Sequence, residues 1–192
     1  AIIEDRNGDL LIGTWSAGLM RFRRGSNTFY RYPRLNALNS AYSLFLDKHN
    51  HLWVGTWGYG VVRLNNPQNV RQPEMHQYPY STNHFDTFYK IVHDPITKTL
   101  WACTREGACY LEKDMPNAEW KGYTSIGNNP LNFNNDIATD GKGNIWLCTQ
   151  NNGILQVNTQ PSLFKLWNLD TSHTHLTINY VYSILTTDGE NF

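Results

Sequence analysis

Ser43 to Leu64 reads SLFLDKHNHLWVGTWGYGVVRL, and this phrase decides the fold. An apolar run ends in Asp47 and a short polar turn follows. A second apolar run carries Trp53 and ends in Gly55-Thr56, and a Gly-containing turn leads into a third. The phrase recurs as IIEDRNGDLLIGTWSAGLMRF from Ile2, IVHDPITKTLWACTREGACYL from Ile91 and DIATDGKGNIWLCTQNNGILQV from Asp136. A fifth copy opens at Val181 and stops at Phe192, before its second apolar run. The turn aspartates Asp5, Asp47, Asp94, Asp140 and Asp188 are separated by 42, 47, 46 and 48 residues. That period belongs to propeller blades or to paired-helix repeats. Enrichment in β-branched and aromatic residues, with no helical period, selects strands.

Each unit supplies four short strands, which in the second unit fall near residues 41 to 47, 51 to 56, 60 to 65 and 74 to 79. The fourth is marked by an aromatic or Met followed three residues on by another aromatic: Phe29 and Tyr32, Met75 and Tyr78, Trp120 and Tyr123, Phe164 and Trp167. The expected fold is all-β, a β-propeller made of four-stranded antiparallel blades and an incomplete set of about four. The blades span approximately 1–36, 37–83, 84–130 and 131–176, with a further one beginning over 177–192.

Local chemistry supports this division. Asp can bind the backbone that follows it, and the residue three places on must accept a positive φ. Gly8, Asn50, Gly143 and Asn191 hold that place, while the third copy has a longer turn, Asp94 to Lys98. These aspartates are structural before they are anything else. Leu11, Trp53, Trp101 and Trp146 share one position in the second strand, within nearly continuous apolar sequence. Strands buried on both faces read that way, so these residues are assigned to packing between blades. Cys103 and Cys148 take the place of Gly13 and Gly55, where a small side chain suits a close approach of sheets. All three cysteines, Cys109 included, are expected as free buried thiols, with a Cys103–Cys109 bridge as the alternative in an oxidising compartment.

Lys and Arg together number 16, as do Asp and Glu, so the formal net charge is zero and no positive field draws nucleic acid. No stretch approaches the roughly 20 apolar residues of a membrane span, and no signal peptide is legible. The chain starts inside one repeat and ends inside another, so it reads as an excised fragment whose missing segments lie elsewhere. His49-x-His51 and His173-x-His175 sit in turns without a third ligand at zinc-like spacing, so no metal is expected. No phosphate-cradling loop and no nucleophile elbow occur, so neither a cofactor nor a catalytic residue is assigned. An incomplete ring exposes apolar blade faces. The expected partners are therefore a second copy of the fragment and the remaining blades of the parent protein.

The pattern of turn Asp, Trp or Leu, Gly-Thr, Gly and apolar strand resembles the two-component regulator propeller repeat of hybrid two-component sensors. Copies one and two match closely, whereas copies three and four have Cys for the Gly of Gly-Thr, and copy three has a shortened turn, Thr104 to Gly107. The resemblance implies a periplasmic sensor region feeding a transmembrane histidine kinase, with oligosaccharides from polysaccharide breakdown as the signal.

Loops between strands two and three, together with the inter-blade connections, share one face of such a blade set. They are also the segments that vary most between copies, where function usually resides. A sugar offers an apolar C–H face and a rim of hydroxyls. Trp15, Trp57 and Tyr59 supply an aromatic platform for it, and His84, Arg105, Asn134 and Gln150 supply hydrogen bonds. Trp15 and Trp57 equally well pack beneath the neighbouring inter-blade loop. The leading reading is a non-catalytic extracytoplasmic sensor segment for a polysaccharide-derived oligosaccharide. The alternatives are a protein-interaction scaffold and, third, a carbohydrate-active propeller enzyme.

Overall fold

The computed structural model of the chain describes residues 1–33, 38–78, 87–112, 118–126, 129–131, 134–159 and 165–167. Every regular element among them is a strand. The first sheet holds β1 (Ile2–Glu4), β2 (Leu10–Gly13), β3 (Leu19–Arg23) and β4 (Thr28–Arg31). The second holds β5 (Ala41–Leu46), β6 (Leu52–Thr56), β7 (Val61–Leu64) and β8 (Met75–Tyr78). The third holds β9 (Phe88–His93), β10 (Leu100–Thr104), β11 (Gly107–Leu111) and β12 (Lys121–Tyr123). A small hairpin of β13 (Ser125–Ile126) and β14 (Asn129–Pro130) precedes the fourth sheet: β15 (Asn134–Thr139), β16 (Asn144–Thr149), β17 (Ile154–Asn158) and β18 (Lys165–Trp167). In each sheet the strands lie side by side in chain order, one blade per repeat. The further blade expected over 177–192 lies outside the described residues. Two compact units result, Ala1–Ile91 with Met115–Glu119 and Val92–Asp114 with Trp120–Phe192.

Two locks recur in the blades. In the first, Oδ1 of the turn Asp accepts the backbone N–H groups two and four residues on: Asn7 and Asp9 at Asp5, His49 and His51 at Asp47, Lys142 and Asn144 at Asp140. Gly8, Asn50 and Gly143 then carry the positive φ, at 80°, 65° and 93°. In the longer third turn Lys98 takes it, at 60°, and Asp94 holds Ile96 and Thr97 instead. In the second lock the Thr ending each second strand donates its hydroxyl to the Gly carbonyl that opens the third. The pairs are Thr14 to Gly18 and Thr56 to Gly60 at 2.7 Å, and Thr104 to Gly107 and Thr149 to Gly153 at 2.9 Å. The Gly-Thr signature thus encodes a hairpin clasp, a role not visible in the letters alone.

Within the first unit, blade one meets blade two through Leu11, Leu19 and Tyr32 on one side and Leu52, Val54, Val62 and Leu64 on the other. Gly is required where they come closest: a Cβ on Gly13 would stand 2.6 Å from the Ala41 carbonyl oxygen, and one on Gly55 would stand 2.9 Å from the Phe88 Cβ. A buried polar clasp crosses the same seam. Arg21 pairs with Asp5 at 2.6 Å and Asp9 at 2.8 Å and donates to the Pro67 carbonyl of blade two at 3.1 Å. The Tyr32 hydroxyl donates to that same carbonyl, and burial, opposed by the Arg21 charge, pushes its phenol up to about 12.

The second-strand tryptophans are buried as expected. The Trp53 indole donates to Asp47 at 3.1 Å with the Arg63 guanidinium 5.5 Å above its ring, and Trp101 stacks on Tyr110 at 4.9 Å. All three cysteines are buried and stand outside any disulfide. Register explains why Cys103 and Cys109 stay apart: Cys103 faces Ala108 and Cys109 faces Ala102, so the thiols project from opposite faces of the hairpin.

Two outcomes test these contacts. Arg21→Ala strands the buried Asp5 carboxylate and lowers stability by about 3 kcal/mol in urea unfolding. Burial works to raise the Asp47 carboxyl, but the His51 amide, the Trp53 indole, the His51 ring and the His49 amide outweigh it and hold it below its ordinary value. A depressed folded pKa stabilises above the unfolded value of about 3.9 and ceases to do so as pH falls through the folded one. Melting temperature therefore falls on acidification below about pH 4, and Asp47→Asn flattens that fall.

Candidate functional site

The loops between second and third strands gather with the inter-blade connections, as antiparallel topology dictates. Within the first unit the Gly18 amide donates to Asn39 O at 3.2 Å and the Ser40 hydroxyl to Trp15 O at 2.5 Å. Trp57 forms an isolated bridge with Thr87 and donates its amide to Ser40 O at 3.2 Å. In the second unit the Asn152 side chain donates to Pro130 O at 2.8 Å.

On the first unit these anchored backbones raise a contiguous group of rings. Trp15 and Trp57 lie with ring centroids 4.8 Å apart and planes at 61°. Tyr42 stands 6.1 Å from Trp15 and 6.2 Å from Trp57, and Tyr89 stands 5.4 Å from Tyr42 and 6.4 Å from Trp57. Trp15 is 58% exposed, Tyr42 39% and Trp57 37%. The indoles are therefore held by their backbones and by one another, while the inter-blade segments 34–37 and 79–86, beneath which the alternative reading packs them, lie outside the described residues. Tyr59 is exposed on the Trp57 loop but outside this ring group, its carbonyl accepting from Gln77 at 3.1 Å.

Tyr42 and Tyr89 were absent from the residues singled out in the sequence. Both occupy the second position of an innermost strand, Ala41-Tyr42-Ser43 and Phe88-Tyr89-Lys90. A register shift between Ala41 and Ser43 leaves Tyr42 as the extra residue of a bulge, which turns it out of the strand's alternation. The same shift falls between Asn134 and Asp136, where Asn135 stands. The shared place of Tyr42 and Tyr89 in the repeat is the signal that could have found them.

The remaining candidates belong to the second unit, except His84, which lies outside the described residues. Arg105 is exposed at the turn between β10 and β11, and Gln150 is half-buried at the turn after β16. Asn134 is fully buried instead of presented on the loop surface. Its amide donates to Leu131 O at 3.1 Å and Thr104 O at 3.4 Å, so it ties the start of β15 to the end of β10. His51 is engaged by Asp47 at 3.0 Å, with the His49 ring 5.9 Å away.

Residues 37–58 match the family model described as two component regulator propeller. The match falls on blade two, over β5 and β6. Among solved structures, the extracellular domain of a hybrid two component system from B. thetaiotaomicron is similar, with a TM-score of 0.70 at 15% identity over 96% of this chain and 24% of that one. PorZ, a surface component of the type-IX secretion system of Porphyromonas gingivalis, gives 0.72 at 15% identity over 95% and 28%. An ancestral GH74 enzyme gives 0.65 at 15% identity over 86% and 25%. The likeness establishes the fold, an incomplete β-propeller of antiparallel four-stranded blades. This chain spans about a quarter of the length of those structures. No curated protein sequence matches it significantly.

The exposure of Trp15 has an optical consequence. Among the seven tryptophans, its indole meets solvent most freely of those described, so Trp15→Phe removes the red edge of the emission and the fraction most readily quenched by acrylamide.

Proposed function

We propose that the chain is a non-catalytic, extracytoplasmic sensor segment of a two-component receptor and that the Trp15, Tyr42, Trp57 and Tyr89 group receives a polysaccharide-derived oligosaccharide. The observation carrying this reading is the exposed, ring-on-ring aromatic cluster built on loops anchored to a rigid sheet. Tilted planes at 61° to 73° form facets, not a flat shelf, and facets can hold the apolar face of one sugar while a phenol reaches its hydroxyl rim. The likeness to the extracellular domain of a hybrid two component system supports an extracytoplasmic setting. Signalling follows if bound ligand favours one arrangement of two receptor copies over another.

The second reading is a scaffold that binds protein; PorZ, a surface component of the type-IX secretion system, shares the fold. The likeness to a GH74 enzyme keeps a carbohydrate-active reading as the third. That one needs two carboxyl groups roughly 5 to 9.5 Å apart across a sugar. Asp136, within β15, accepts the Ile137 amide at 2.8 Å.

Calorimetric and tryptophan-fluorescence titration with a panel of neutral and acidic oligosaccharides tests the proposal. Binding should perturb indole emission, and Trp57→Ala or Trp15→Ala should weaken it by roughly tenfold or more. Binding that is indifferent to both substitutions would remove the site. Failure of every glycan, with capture of a protein by the same face, would favour the scaffold.

A further inference from the structure

The aromatic group of the first unit stands on loops without charged side chains. Trp15, Tyr42, Trp57 and Tyr89 are carried by residues 14–18, 38–42, 56–60 and 87–89, and these eighteen include no Asp, Glu, Lys, Arg or His. Charged residues make up 17% of the chain, so about three would fall among eighteen by composition alone. The scaffold does not forbid them, because the turn of blade three that matches the Trp15 and Trp57 turns carries Arg105-Glu106. Of the cations nearest in sequence, Lys90 is half-buried within β9. Arg31 aligns with Met20 and Ile12, on the side of blade one opposite the Leu11 and Leu19 core.

The rings also leave no cage for an ion. Their centroids lie 4.8 to 6.4 Å apart, within the range of direct ring contact, so a ligand rests on the group instead of being enclosed as a quaternary ammonium would be. An aromatic face carries negative potential, which attracts the C–H bonds of a sugar and repels a carboxylate or sulfate laid upon it. An anion brought onto this surface sheds water and meets no cation in exchange among these loops. Neutral hydrogen-bonding groups are few as well. Thr14, Ser40 and Thr56 spend their hydroxyls on the Gly18, Trp15 and Gly60 carbonyls. That leaves the Tyr42 phenol and the exposed Ser16 for the rim of a sugar.

We infer that the site selects neutral sugars: an oligosaccharide with no uronic acid, sulfate or phosphate on the units that meet the rings. The inference rests on the glycan reading of the aromatic group and narrows it to one chemical class. Capture proceeds by stacking and neutral hydrogen bonds, and charge plays no part in steering the ligand to these loops.

Matched ligand pairs test the selection. Cello-, manno- and galacto-oligosaccharides are titrated into the 192-residue chain, each beside the same compound oxidised at its primary hydroxyls to the uronate, so that the two members differ chiefly in charge. In every pair that binds, the neutral member should bind at least about tenfold more tightly. Its affinity should be the same at low and high salt. Equal or tighter binding of the oxidised members, still weakened by Trp57→Ala, would overturn the inference while leaving a glycan site, and would direct attention to Arg34 and His84, which lie outside the described residues. Affinity for the neutral members that falls steeply with salt would overturn it too. If neither member of any pair binds, the glycan reading itself fails and the inference falls with it.

Discussion

In the first unit consecutive sheets approach until a side chain at Gly13 or Gly55 would collide with the neighbouring sheet, and the rest of that unit's architecture follows from that contact. At Gly13 a single added carbon would collide with the Ala41 carbonyl, and at Gly55 with Phe88. A repeat held this closely cannot bury its apolar sides alone, so each blade borrows its core from a neighbour. The Leu11 and Leu19 face of blade one and the Val54 and Val62 face of blade two are halves of one core. Dispersion and burial reward the approach, and small residues at the point of contact permit it.

Close packing demands that each hairpin keep its shape without help from its tip. The Asp lock fixes the first turn by occupying two amides, and the Thr lock fixes the second by closing a hydroxyl onto a glycine carbonyl. Both satisfy backbone groups locally, at positions where β-ladder bonds end. Residues beyond Thr56 are then free to be anything that fits a short turn. Trp57, Arg105 and Gln150 stand at that same place in three blades and differ completely in chemistry, while the Thr before each of them does not.

The repeat period, the strand positions and the role of the turn aspartates were legible because each rests on local chemistry that every copy states again. Strands expected at 41 to 47 and 51 to 56 run over Ala41–Leu46 and Leu52–Thr56. Gly13 and Gly55 also lie where sheets come close, as their shared place implied, and Cys103 and Cys148 are buried. The inter-blade clasp was not legible. Arg21 is shared between the carboxylates of Asp5 and Asp9 and finished by the Pro67 carbonyl, a partner 46 residues away that no local pattern marks. Asn134 escaped for the reverse reason: it looks like a surface polar residue, yet it spends its amide on the Leu131 and Thr104 carbonyls inside the fold.

Tyr42 shows why the candidate site needed coordinates. Strict alternation along β5 would send it to one side of the sheet, among the apolar residues, and a solvent-facing ring would then be an anomaly. The bulge between Ala41 and Ser43 releases it from alternation, so the backbone, not the residue type, decides where the ring goes. Tyr42 then meets Trp15 from the blade before, Trp57 from its own blade and Tyr89 from the strand after. The ring group assembled this way draws Trp15 from one repeat, Tyr42 and Trp57 from the next and Tyr89 from the one after. Its composition can therefore change by single substitutions at loop tips and bulges, while the Asp, Thr and Gly positions that build the sheets stay untouched.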